Sequence, residues 1–308
     1  MNKSLASQSK DFRGFKGWLS SENFYLNTPI EPKNFSVFVR DPEEFKQATA
    51  QESFRMGLNS LQSMYEIRKN PAFPKLSSWH VIQAYYAAFF AAHSTLRIFG
   101  EFFTNFENGH SKIIAEHALR EHSVTCAINS GNFHAVFDPS SNVLSFNFEK
   151  ESHRDLWKVY CRLLDRLSIE VLLVRGTKEV LTDISTSLSD LRDLLHRGKG
   201  KDSGNWLSIF RNEVNYKSTS EAWYPFTGNQ TETEKVFSFA KKWRDGTVCV
   251  ADCLAKSSDM EVFFLTSILV VQVSNQLLSD YASVAGTKNK YANLYQKFED
   301  LARTTFDV

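Results

Sequence analysis

Cysteine is scarce in this 308-residue chain, and its four copies stand apart at positions 126, 161, 249 and 253. Thiols so scattered build no disulfide framework, and a reducing, cytoplasmic compartment is the expectation. Cys249 and Cys253 have three residues between them where redox and zinc pairs have two, so buried packing is their expected role. An excess of one charge is also missing. Lys and Arg number 36 against 35 Asp and Glu, a formal net charge of +1. No global field therefore advertises nucleic acid or a membrane, although a local basic patch remains open. The most apolar run, Val262 to Leu278, is interrupted by Gln272, Ser274 and Asn275. It reads as a buried helix, and no membrane partner is expected. Met1 to Lys10 is polar and has no apolar signal core.

Familiar chemical motifs are absent as well. There is no Walker-type phosphate loop, no Gly-x-Ser-x-Gly and no His-Glu-x-x-His. His110, His117 and His122 are spaced seven and five apart, which does not align three ligands on one helix face. Neither a metal nor a cofactor is expected. No internal repeat and no low-complexity stretch occurs.

What the chain does have is phenylalanine, 26 copies against 10 tyrosines and 6 tryptophans, and a 24-residue stretch with both ends marked. Residues 77 to 100 begin with two serines able to cap a first turn and end on Gly100, suited to a left-handed C-cap. Ile82, Tyr85, Phe89, Ala92, Leu96 and Phe99 form one apolar stripe, while Ala84, Ala87, Ala88 and Ala91 keep the remaining surface small. Such a helix is central, with neighbours wrapped closely around it.

Elements before and after it follow from similar signals. Residues 1–40 carry aromatics among Gly14, Gly17, Pro29 and Pro32, and read as an arm that docks on its own bundle or on another subunit. Within it, Phe35 to Val39 has the look of a short strand. Asp41-Pro42-Glu43-Glu44 starts a helix that stops at Asn70-Pro71. Another helix is expected from His110 to about Ile128. Between 131 and 149 the period changes to two around the turn cluster Asp138 to Asn142, which predicts a β-hairpin insertion. Helices follow over 150–175, around Leu181 to Leu195, over 205–217, from the capping box at Thr231 to Trp243, and at least twice more over 247–305. A glycine-spaced loop, His196 to Gly204, separates two of them.

The run Ala84-Tyr-Tyr-Ala-Ala-Phe-Phe-Ala-Ala-His93, then Leu96-Arg-Ile-Phe-Gly100 and Asn108-Gly-His-Ser-Lys112, resembles the first half of a HEPN domain. The fold this implies is mainly α: a HEPN-like helical bundle over 41–230 with the hairpin near 131–149 inserted, preceded by the 1–40 arm and followed by extra C-terminal helices over 231–308. That family includes ribonuclease toxins of toxin–antitoxin pairs, antiviral defence proteins and non-catalytic partner subunits. The resemblance implies RNA as a partner and a homodimer whose two copies build the site; the alternative is a non-catalytic helical interaction or scaffold subunit, with a protein partner encoded nearby.

HEPN ribonucleases carry an Arg followed by a polar residue and then a His. Here Arg211-Asn212 matches the first half, with Asn215 and Tyr216 following where the His would fall. The resemblance implies a metal-independent cut in which Arg steadies phosphate, whose geometry guanidinium matches, and an imidazole moves the ribose proton. Tyrosine is a weak substitute, its ordinary pKa being about 10. The alternative is that Arg211, Asn212 and Asn215 form a buried polar network. Arg197, Lys199, Lys201 and Lys217 flank the segment and are candidate contacts to a nucleic-acid backbone. Spare imidazoles are His93 and His196. Arg192 with His196 repeats the Arg-polar-His pattern at tighter spacing and ranks second.

Overall fold

The computed structural model describes residues 14–69, 78–216, 238–239, 242–243, 246–256, 258–285 and 290–304. These form a mostly helical protein with one small antiparallel sheet. The chain divides into two units. The first comprises the described residues up to Arg55 together with His93–Ser152, and the second Met56–Ala92 together with the described residues from His153 onward.

Unit one is built around phenylalanine. It contains α1 (Phe15–Ser20), β1 (Phe24–Asn27), β2 (Asn34–Val39), β3 (Glu101–Phe106), α4 (Asn108–His122), β4 (Gly131–Asp138) and β5 (Val143–Glu149). The helices α2 (Pro42–Lys69) and α3 (Ser78–Ile98) contribute residues to both units. The sheet runs β1-β2-β5-β4-β3, antiparallel throughout. The expected hairpin is β4–β5, closed where Asp138 pairs with Val143. The Asp138 carboxylate accepts bonds from the Ser140 amide and from the hydroxyls of Ser140 and Ser141, which fold the turn. The hairpin is part of a larger sheet, because the arm supplies β1 and β2 and residues after Gly100 supply β3. Alternation puts Phe35 and Phe146 opposite each other on the buried face, where their rings stack at 4.6 Å. Phe15, Trp18, Phe45, Phe102 and Phe133 join them in one core. The arm thus docks on its own chain. Its strand β1 is held to α4 by Glu121, which accepts the Leu26 amide at 2.8 Å, and by His122, whose Nε2–H donates to the Leu26 carbonyl at 2.7 Å.

The helix signals act as their chemistry dictates. Asp41 caps α2 by accepting the amides of Glu43 and Glu44, both at 3.0 Å. In α3, Ala84, Ala87, Ala88, Ala91 and Ala92 are all fully buried beside Tyr85 and Leu96. The helix gives way at Gly100, whose φ of 74° is the left-handed turn into β3. α4 ends earlier than the periodicity suggests. Ser123, at φ 56°, stops it at His122, and residues 123–130 run irregularly into β4.

Unit two holds α5 (Ser152–Glu170), α6 (Lys178–Leu195), α7 (Trp206–Tyr216), α8 (Val250–Leu254), α9 (Asp259–Ala285) and α10 (Lys290–Thr304). The apolar run Val262–Val271 lies inside α9, which packs on α6, α7, α8 and α10. Among the described residues, α9 is the single helix long and apolar enough to cross a membrane by length and composition, and about two thirds of that window (67%) is buried within the protein. Between α6 and α7 the loop makes a short 3-10 turn, Gly198–Gly200. Gly204 follows at φ 62°, where a Cβ would fall 2.2 Å from Cys161 Sγ, so no larger residue fits. The turn at Trp223–Gly228 and most of the helix expected from Thr231 lie outside the described residues.

Candidate functional site

α7 is amphipathic, and its buried side carries Trp206, Leu207, Ser208, Arg211 and Val214. A charged residue in that row is unexpected from packing alone. Arg211 is only 6% exposed, and its guanidinium lies 4.8 Å from the centre of the Tyr85 ring and 5.8 Å from that of Tyr86. Cation–π attraction holds it there. Its Nε has no hydrogen-bond partner, and among the described residues no carboxylate pairs with it.

The ring beneath it is a hub. Tyr85 Oη lies 2.8 Å from His153 Nδ1 and accepts the Trp157 Nε1–H at 3.3 Å; the nearby side chains of Ser208 and Arg211 favour its ionised form. Burial pushes the phenol above its ordinary pKa, so it stays protonated. His153 stands in the first turn of α5, with Phe89 of α3 4.8 Å from its ring. Burial, and next the positive charge of Arg211, bring its pKa down to about 4. A helix N-terminus disfavours a cation in the same sense. At neutral pH the site therefore holds one fixed positive charge, one neutral imidazole and one neutral phenol.

The other expected site residues divide plainly. Asn215 is half-buried one turn beyond Arg211, whereas Asn212 and Tyr216 are on the exposed side of α7, Tyr216 being 75% exposed. Arg197 pairs with Asp259 at 3.1 Å and lies near the Trp206 ring, and Lys199 pairs with Glu213 at 2.6 Å. Lys201 is exposed, and Lys217 lies outside the described residues. Arg192 is neutralised by Asp165 and, at 2.7 Å, by Asp193. His196 donates from Nδ1 to the Arg192 carbonyl at 2.9 Å. His93 belongs to unit one, where its Nδ1 accepts a bond from Arg97 at 3.0 Å. The imidazole that shares Tyr85 with Arg211 is His153, which the α7 motif does not reveal. Its signal in the sequence was faint: a histidine in the first turn of a helix, where the dipole disfavours its charged form.

Among the described residues no group of three His, Cys, Asp or Glu side chains is placed to hold a metal ion. No protein-family model, no curated protein and no solved structure matches this chain. The functional reading rests on its own residues.

Proposed function

We propose that this protein is a HEPN-like effector that binds RNA and cuts it without a metal, in toxin or antiviral defence chemistry. The observation that carries the reading is Arg211, a buried guanidinium with no carboxylate partner among the described residues, packed on the same Tyr85 whose hydroxyl meets the His153 imidazole. An arginine in that state costs free energy until an anion arrives, and a phosphate matches its planar donors. In this reading Arg211 holds the phosphate and spreads the charge that builds on it. The Nδ1–H of His153 is directed to Tyr85, which leaves Nε2 to take the proton of the ribose 2′-hydroxyl. The 2′-oxygen bonds to phosphorus, the bond to the 5′-oxygen breaks, and that oxygen leaves with a proton from water. The products are a 2′,3′-cyclic phosphate and a free 5′-hydroxyl.

The test is incubation of the purified chain with total RNA and analysis of fragment ends. Cyclic phosphates should appear with wild type and fall at least a hundredfold with Arg211→Met or His153→Ala, the order of loss general base removal brings. The acidic limb of the rate profile should lie near pH 4, where His153 titrates, rather than near 6.5. No cutting under any condition sinks the catalytic half of the reading.

A second reading, a non-catalytic interaction subunit, has its own observation. The bend between α5 and α6 exposes Ile169, Leu172, Leu173, Val174, Val180 and Ile184, with Leu173 81% exposed. Exposed apolar patches of this kind mark protein contacts. Absence of cleavage together with a partner lost on Leu173→Asp favours that reading.

A further inference from the structure

Within unit two, α2 and α3 leave an open groove of about 330 Å³. Asn59, Gln62 and Glu66 line one wall, and Trp79, Gln83 and Tyr86 the other. Trp79 is 60% exposed, a large flat ring left uncovered. Among the described residues, the amides of Asn59, Gln62 and Gln83 and the carboxylate of Glu66 have no side-chain partner. Among the described residues no lysine or arginine lines the groove, and the one charge there is negative. It therefore repels phosphate. Three amides, each a donor and an acceptor, one carboxylate and two aromatic faces suit instead a flat, uncharged ligand with polar edges.

We infer that this groove is a nucleobase subsite, which seats an unpaired base of the RNA whose phosphate Arg211 holds. The inference rests on the functional reading above. Its independent support is continuity: Tyr86 lines the groove and also lies 5.8 Å from the Arg211 guanidinium, so a single side chain separates the two. The labour is divided by chemistry. The guanidinium takes the anion, and the groove takes the base, with Trp79 offering a stacking face and the amides reading the edge. Glu66 accepts from an exocyclic amine, as carboxylates do with cytosine. A base inside a duplex has its polar edge already paired, so the substrate class is single-stranded RNA.

The experiment measures equilibrium binding of the full chain to a 12-nucleotide single-stranded RNA, to the same RNA carrying abasic ribose at its central positions, and to free nucleoside monophosphates. Wild type should hold the intact RNA about tenfold tighter than the abasic one, the scale of one lost stacking contact. Trp79→Ala and Gln83→Ala should remove that difference while leaving abasic binding and the melting temperature unchanged. Arg211→Met should weaken both RNAs alike. Equal binding of intact and abasic RNA by wild type overturns the subsite and leaves the phosphate role of Arg211 standing. Binding of neither RNA overturns the functional reading itself. Nucleoside monophosphates binding as tightly as the intact RNA would make the groove a free-nucleotide site and overturn the RNA assignment.

Discussion

Among the described residues each unit buries one arginine near a histidine, Arg97 in one and Arg211 in the other, and the two differ by a single carboxylate. In unit one Arg97 is 3% exposed; its Nη1 donates to His93 Nδ1 at 3.0 Å and to the His93 carbonyl at 2.9 Å. Glu52, itself buried, lies 3.2 Å from its Nε and also accepts the Phe15 amide at 3.3 Å. The charge is cancelled, and the pair fastens α1 to α2. In unit two Arg211 has the aromatic rings and the imidazole but no carboxylate among the described residues. Burial depth alone does not tell a structural cation from a binding one. The proposed function assigns the difference to the counter-charge, because a buried carboxylate removes the reason to attract a ligand.

The largest expected effect breaks the first pair. Glu52→Ala strands Arg97 and should lower unfolding free energy by about 3–5 kcal/mol in urea titration. Arg211→Met removes a charge that has no carboxylate, and should move stability by no more than about 1 kcal/mol in either direction. Equal losses from the two substitutions would end the comparison. Next in size is Tyr85→Phe, which leaves the Trp157 N–H and His153 without their shared partner; a loss of about 1–3 kcal/mol is expected for such orphaned groups.

Asp41→Ala, which touches neither arginine, should cost about 1 kcal/mol through its cap alone and sets the scale for a local change. The last expectation is a difference in pH dependence. His153 is depressed to about 4, so the unfolded chain binds its proton more readily than the folded one. Stability from this group is full above the unfolded value near 6.5 and is lost as pH falls toward about 4. Glu52 is also depressed, despite the opposing effect of its burial, because the neighbouring Arg97 and Arg55 charges and the Phe15 amide outweigh it. Its contribution is full above the ordinary carboxylate value of 4.5 and is lost only below it, as pH falls through the folded value. His153→Gln should therefore flatten the melting temperature between pH 6.5 and 4.5 and leave the steeper acid limb in place.

Local chemistry made much of the secondary structure legible. Asp41 and Pro42 start α2 because one side chain caps and the other fits a first turn, and Gly100 ends α3 because the chain needs a left-handed residue there. The hairpin was readable from alternation and the Asp138 turn. The strand over Glu101–Phe106 was not, since Phe102, Thr104 and Phe106 look no different from a continuing aromatic run until β4 lies beside them. The extent of the sheet was hidden for the same reason: β2 pairs with β5, more than a hundred residues later.

The sequence by itself determined the helix starts and stops at Asp41 and Gly100, the β4–β5 hairpin and the burial of the alanine-lined helix, because capping and periodicity are local properties. Only the tertiary structure decided which imidazole shares Tyr85 with Arg211, which cations are already spent on carboxylates, and that Asn212 and Tyr216 turn outward while Tyr85 turns in. Those are matters of distance between segments far apart in the chain, and a one-dimensional pattern carries no measure of them.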